Sequence, residues 1–336
     1  MSRWADDPEY AADALIERGV DLSALSGRIL LVNQGGGLPE MVRIADSTLW
    51  NRRAVRGRAA SPWPPAGPFD IALLRLPKAR EEQEMTVHAV LGVLAPGGKL
   101  ILYGGNDEGI RSAARMLEEL AGAVDTLATR GHGRVLRAAR PDVVPGLRGQ
   151  LTDWRTVSRM TIAGAERDWV TYPGVFAAGR VDEGTALLLT TLPALKSGCK
   201  VLDYGCGSGA ISATALATYP DVHIDLLDND SVALAAASEN VPGGRLVLGT
   251  SLADTRGRAY DAILSNPPLH LGIAKTNALV ETLVADASGH LDSGGVLQVV
   301  VQRQVGLDRL MTEHFGGGAE VVAENGRYRV WRAART

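Results

Sequence analysis

The stretch that most constrains this chain is residues 198–210, Gly-Cys-Lys-Val-Leu-Asp-Tyr-Gly-Cys-Gly-Ser-Gly-Ala. Val201 and Leu202 read as the end of a buried strand, and Asp203 falls where that strand emerges. Gly205, Gly207 and Gly209 then make a loop without side chains at alternate positions, and residues 210–219 read as a helix. Glycines permit positive φ and let backbone approach a ligand closely. A strand, an acid, a glycine-rich turn and a helix in this order form a nucleotide-binding corner. The alternative for such a loop is a tight turn that only brings helix and strand together.

The 336 residues suit two domains better than one. Strand-like and helix-like segments alternate in both halves, which implies mostly parallel sheets. The chain also repeats itself. Phe69-Asp70-Ile71-Ala72-Leu73-Leu74 echoes Tyr260-Asp261-Ala262-Ile263-Leu264-Ser265, and 94–100 echoes 291–297 through a Gly-Gly turn. The expectation is an α/β chain of two tandem Rossmann-like, doubly wound domains, residues 1–148 and 149–336, with a linker near 141–149. The first copy has a glycine run at 35–37 but no acid, since Asn33 sits near where one would be expected. It also carries Arg75-Leu76-Pro77-Lys78 where the second has Asn266-Pro267-Pro268-Leu269. Only the second copy should be chemically competent.

Composition narrows the function classes. A net charge of −3 announces no polycationic nucleic-acid binder, and 46% hydrophobic residues are ample for packed cores. Neither a signal pattern nor a run of about 18 apolar residues is present, so a cytoplasmic protein without a membrane span is expected. Cys199 and Cys206 flank the glycine loop and suggest neither a disulfide framework nor a metal site, and no metal is expected.

Two nucleotide cofactors compete for the corner. Asp228, after the strand-like run 223–227, could hold the ribose hydroxyls of NAD. Asp203, however, would then meet a pyrophosphate, whereas S-adenosylmethionine brings an ammonium and a sulfonium to the same place. Asn266-Pro267-Pro268 adds a second argument. The prolines fix φ and remove amide donors, so a stiff turn presents the Asn266 side-chain carbonyl and a backbone carbonyl at the sheet edge. Two acceptors can hold both hydrogens of a planar amine and aim its lone pair at a methyl group. A sulfonium is already an activated donor, so neither a nucleophilic side chain nor a metal is required. The plainer reading of Asn-Pro-Pro is a turn that ends a strand.

Residues 173–332 resemble the class I S-adenosylmethionine-dependent methyltransferases, in particular the RsmC/RlmG group of ribosomal RNA guanine-N2 methyltransferases. The stretches that carry the resemblance are Pro-Gly-Val-Phe with Val-Asp-Glu-Gly-Thr (173–185), Val-Leu-Asp-Tyr-Gly-Cys-Gly-Ser-Gly (201–209), Leu-Asp-Asn-Asp (227–230), Ser-Asn-Pro-Pro-Leu-His-Leu-Gly (265–272) and Tyr-Arg-Val-Trp-Arg-Ala (328–333). The group has a degenerate N-terminal copy of its domain, so the resemblance covers nearly the whole chain. It implies methyl transfer to the exocyclic amine of a guanine in ribosomal RNA, with naked RNA or a ribosomal subunit as partner. By position, Asp203, Gly205 and Gly207 would hold the methionine part of the cofactor. Asp228 would bind the ribose, Asn229 and Ser251 the adenine, and Phe176 and Thr185 would close over the cofactor. Asn266 and Pro267 would hold the amine, with Pro268, Leu269 and His270 beside the target base. His270 could equally cap the following helix.

The chain departs from the group at several places. Leu269 stands where an aromatic residue usually stacks on the base, which loses the π contribution. Gln302 stands where the group tends to carry Asn, and Thr250-Ser251 lacks an acid. RNA contact must come from local charge. Arg52, Arg53 and Arg56, and the arginines of 130–140, are the candidates, each of which could equally be a solvated surface cluster. Methylation of a protein amide or small-molecule amine, and a non-catalytic RNA-binding assembly role, are the alternative functions.

Overall fold

A computed structural model describes residues 8–34, 38, 47–55, 58–267, 273–316 and 318–336. The chain divides into two compact units, Met1–Arg155 and Thr156–Thr336. The first is built on β1 (Ile29–Val32), β2 (Ser47–Trp50), β3 (Phe69–Arg75), β4 (Leu94–Gly105), β5 (Val124–Arg130) and β6 (Gly133–Ala139), in the sheet order β2-β1-β3-β4-β6-β5. β1 to β4 run parallel and the β5–β6 hairpin closes the edge antiparallel. Strands covered on both faces must be apolar throughout, and β1 is so. Leu30 and Val32 enter one core with the helices Arg80–Val93 and Ile110–Ala121, while Ile29 and Leu31 enter the other with Leu15 and Ile16 of the helix Pro8–Gly19.

The second unit opens with an antiparallel ribbon, β7 (Thr156–Ile162) and β8 (Ala165–Thr171). Its sheet follows: β9 (Lys200–Tyr204), β10 (His223–Asp228), β11 (Arg245–Leu248), β12 (Tyr260–Ser265), β13 (Leu291–Gln302), β14 (Glu320–Glu324) and β15 (Tyr328–Ala334), ordered β11-β10-β9-β12-β13-β15-β14. β10 and β12 flank β9 on opposite sides, so the order reverses at the C-terminal end of β9, where an open α/β sheet leaves its crevice.

The internal repeat holds down to register. The order in the first unit is that of the second without β11. β3 and β4 slip between Phe69 and Ile71, and β12 and β13 slip at the matching Tyr260 and Ala262. Asp70 accepts the Arg28 amide at 2.8 Å as Asp261 accepts that of Lys200 at 2.7 Å. Gly98 and Gly295 press on the same backbone: an added Cβ would lie 2.7 Å from the Ala95 oxygen in one and 2.8 Å from the Asp292 oxygen in the other.

Three expectations change. The boundary falls at 155/156 rather than 148/149. The Pro- and Gly-containing segment resembles a linker, but it is tied to the first unit: the Arg148 amide donates to His88 Nδ1 at 3.1 Å, and the Trp154 ring meets His88 edge-on at 5.2 Å. The helix expected over 185–195 runs only over Glu183–Leu189. Thr190 and Thr191 turn their hydroxyls back onto the Leu187 and Leu188 carbonyls, and Pro193 follows. Finally, the pairing of β1 and β9 with β3 and β12 sets Leu31, not Asn33, opposite Asp203 in the repeat; Asn33 matches Gly205.

The ribbon is fastened to the glycine loop through one side chain. Asn240, buried at the end of the helix Ser231–Asn240, accepts the Val170 amide at 2.8 Å and donates to the Val170 and Ser208 carbonyls at 2.8 and 3.0 Å. Asn240→Ala strands a buried amide and two carbonyls, and should cost about 2–4 kcal/mol in stability, read as a lowered denaturant midpoint.

Candidate active site

The loop after β9 is held by backbone and by β10. The amides of Gly205 and Cys206 donate to the Leu227 carbonyl at 2.8 and 3.1 Å, and the Gly207 amide donates to Asp228 Oδ2 at 2.8 Å. Gly205 and Gly207 have φ of +72° and +54°, and a Cβ on Gly205 would meet nothing within 4 Å. That open side faces the crevice. Gly209 has another role: a Cβ there would lie 2.7 Å from Val241, so the helix Ala210–Thr218 can start this close to its neighbour only on glycine.

Asp203 is 1% exposed. Its Oδ2 accepts the Ser212 amide at 3.1 Å and the Ser212 hydroxyl at 2.7 Å, and its buried Oδ1 has no partner among the described residues. Burial pushes its carboxyl up to about 7; the Ser212 hydrogen bonds oppose this and the nearby charge of Asp228 adds to it. A carboxylate with a spare oxygen in a dry place is suited to a cationic group.

A further wall comes from the segment before the sheet. Asp182 caps the helix Glu183–Leu189 by accepting the Gly184 and Thr185 amides on Oδ1 at 2.9 and 3.3 Å. Its Oδ2 takes the Thr185 hydroxyl and, at 3.0 Å, Nδ2 of Asn266. The Asn266 amide also donates to Thr185 Oγ1 at 2.8 Å. Both Nδ2 hydrogens are therefore committed, and this network assigns the Asn266 carbonyl oxygen as the group left to accept. Ser265, one residue earlier, ties β12 to β9 through the Tyr204 carbonyl at 2.8 Å.

Phe176, Arg180, Asp182, Thr185, the loop 205–208 and Asn266 line one crevice. Its enclosed space is only about 30 Å³. Phe176 stands over the loop, its Cβ 3.9 Å from where a Gly207 Cβ would lie, and is 45% exposed.

Residues 166–332 match the model of the methyltransferase small domain, and residues 52–138 that of its N-terminal domain. The ribosomal RNA small subunit methyltransferase C of Shewanella halifaxensis is 32% identical over 78% of this chain and 76% of its own length. The chain belongs to the ribosomal RNA small subunit methyltransferase C family. The family protein of Psychromonas ingrahamii is 30% identical over 78% of this chain and 75% of its own length. A T. thermophilus 16S rRNA N2 methyltransferase, solved with AdoMet and guanosine, shares the fold: its TM-score is 0.84 over 99% of this chain and 93% of that one, at 24% identity. The methyltransferase family and the pair of α/β domains expected from the sequence are those found.

The positions singled out from the sequence fall unevenly in this family member. Gly205, Gly207, Phe176, Thr185 and Asn266 share the crevice. Asp203 lies buried behind the loop and Asp228 beneath it, its Oδ1 also accepting the Asp230 amide at 2.8 Å. Asn229 is exposed beyond β10. Ser251 caps the 3-10 turn Leu252–Thr255, where its amide donates to Asp254 Oδ2 at 3.1 Å. Pro267 is buried at the end of β12. Pro268, Leu269, His270 and Arg56 lie outside the described residues. Of the basic cluster, Arg52 is corrected: it is 2% exposed rather than a surface group, while Arg53 stays partly exposed and is bidentate to Glu82 at 2.6 and 2.9 Å. Sequence reasoning passed over Arg180 and Asp182 as site residues; Asp followed by a helical run is an N-cap signal that could have drawn attention to Asp182.

Asp203 leaves a signature in stability. Its folded pKa lies above the ordinary aspartate value of 3.8, so between pH 3.8 and about 7 the folded state binds more protons than the unfolded one. Its contribution therefore falls as pH rises through that window. Asp203→Asn removes this slope while keeping an acceptor for Ser212, so the mutant should gain on the wild type as pH rises, read by thermal melts from pH 4.5 to 7.5.

Proposed function

We propose that the second unit transfers a methyl group from S-adenosylmethionine to the exocyclic N2 amine of a guanine in ribosomal RNA. The observation that carries this reading is the Asn266 amide, whose donors are taken by Asp182 and Thr185 so that its oxygen is the acceptor at the crevice. The names of the relatives support a ribosomal RNA substrate, for which a cytoplasmic setting is the fitting one, and the T. thermophilus neighbour is an N2 methyltransferase. Among the described residues no helix is long and apolar enough to cross a membrane.

The residues fit S-adenosylmethionine on two grounds. Gly205 leaves open space where a side chain would stand, and Asp203 keeps a buried oxygen unpartnered. Asp203 would balance the cationic methionine end, with Gly205 and Gly207 lining its path. Arg180, on the crevice wall, would pair with the methionine carboxylate. Asp228, at the end of β10, would meet the ribose hydroxyls, Asn229 and Ser251 would flank the adenine, and Phe176 and Thr185 would close the entrance. When bound, the cofactor supplies a methyl group already activated by the sulfonium.

The chain's own task is then orientation. Asn266 Oδ1 accepts one N–H of the amine and the backbone carbonyl at Pro267 the other, which directs the nitrogen lone pair at the methyl. Pro268, Leu269 and His270 would pack beside the base. Positioning of this kind accounts for most of what a site without a nucleophile can contribute. Asp182 acts through Asn266: it holds the amide in the orientation that accepts.

Asn266→Ala should lower turnover at least about 100-fold while leaving cofactor affinity within twofold, an effect of the size expected for lost orientation. Labelled methyl transfer to deproteinised ribosomal RNA and calorimetry with the cofactor check the two halves. Normal turnover would remove the amine clamp, and label in protein but not in RNA would overturn the substrate. Asp182→Asn keeps the cap acceptor but sets a donor against Asn266 Nδ2. Turnover should fall about tenfold or more while cofactor affinity stays within twofold, because what changes is the orientation of the Asn266 amide and the Thr185 hydroxyl contact beside it.

A further inference from the structure

The first unit has a crevice of its own, at the place where the second has its candidate site. The Asn33 amide donates to the Trp50 carbonyl at 3.0 Å as Gly205 does to Leu227, and Asn33 keeps a left-handed φ of +56°. The Gln34 amide donates to Asn51 Oδ1 at 2.9 Å, as Gly207 does to Asp228. Strand register makes Asn51 the counterpart of Asp228, Arg53 that of Asp230, Arg75 that of Asn266 and Leu31 that of Asp203. The same offset sets Lys78 against Leu269. The scaffold is retained and its charge is inverted: acids have become leucine, amide and arginine, and neutral positions have become cations.

What remains is a cavity of about 230 Å³, lined by Asn33, Asn51, Arg53, Arg75 and Lys78 together with Glu82 and Glu108. The two acids are already paired. Arg53 holds Glu82, and Arg75 grips Glu108 through two bonds of 2.6 Å. Burial pushes the Glu108 carboxyl up, but the Arg75 hydrogen bonds, the Gly105 amide and the charges of Arg75 and Lys78 hold it below its ordinary value. Asn51 and Lys78 are the groups that matter for a ligand. Asn51 is 2% exposed, and its Nδ2 is buried without an acceptor among the described residues. Lys78 is exposed and has no ion-pair partner among them. A buried donor lacking an acceptor is costly, and an ammonium beside it calls for an anionic oxygen.

We infer that this cavity is a second ligand site, which takes the phosphate of a nucleotide through the Asn51 amide and the Lys78 ammonium. S-adenosylmethionine does not suit it, because Leu31 and Asn51 stand where the two acids of the other crevice stand. The phosphate can come from the RNA strand or from a free mononucleotide, and the site is independent of the methyl-transfer reading.

The test uses the full chain, with a labelled single-stranded RNA and with guanosine 5′-monophosphate as probes. Lys78→Glu and Asn51→Asp change the two groups; Asn51→Asp keeps the acceptor for Gln34. If the RNA supplies the phosphate, both variants should bind it at least about fivefold more weakly, with the salt slope of Lys78→Glu flatter by about 0.7, one phosphate contact on a single strand. If a mononucleotide supplies it, guanosine 5′-monophosphate should raise the melting temperature of the wild type but of neither variant, with RNA affinity unchanged. Variants matching the wild type with both probes overturn the site. Calorimetric cofactor affinity, expected unchanged, confirms that the second unit is intact. Failure of methyl transfer to ribosomal RNA would instead strike the reading of that unit.

Discussion

A loop that bends at the mouth of a buried sheet must find partners for its backbone groups, and the second unit depends on how this one does so. Leu227 takes two of its amides, Asp228 a third, and Asn240 takes the Ser208 carbonyl while fastening β8. The ends of β9 and β10, the helix after the loop and the preceding ribbon are thereby fixed to one another. Glycine at 205 and 207 leaves the outer side of this arrangement open, and glycine at 209 lets its inner side pack. The crevice is a consequence of that pairing, with Asp203 sealed behind it.

Much of this was legible in the sequence, for physical reasons that particular residues illustrate. Strands buried on both faces are near-continuous apolar runs, so the end of β9 at Val201 and Leu202 and the strand 260–265 could be read directly, as could the glycine loop between strand and helix. The duplicated Gly-Gly turns at 97–98 and 294–295 were visible because backbone crowding forbids any other residue at the second of them. What was hidden depends on pairing across distance. Asp182 meets Asn266 over a separation of 84 residues, and no local pattern announces that contact. Asn33 looked like a worn Asp203 because both follow an apolar run, whereas strand register assigns that place to Leu31. Arg52 looked like basic surface because the acid it turns towards, Glu82, lies on a helix thirty residues on.

The two units show which parts of such a fold serve packing and which serve ligands. Turn glycines, strand slips and the Asp70 and Asp261 caps occur in both, because the sheet requires them regardless of chemistry. Residues at the C-terminal sheet edge differ in charge between the units while the backbone beneath keeps its hydrogen bonds. Duplication has left one architecture with two electrostatic characters.

The buried acid also ties the second unit to its solvent. A carboxyl pushed up to about 7 is divided between its two forms at neutral pH. A cation settling beside it favours the charged form and expels the remaining proton. If the crevice takes such a cation, binding would release a fraction of a proton, and its heat would include the ionisation enthalpy of whichever buffer receives it.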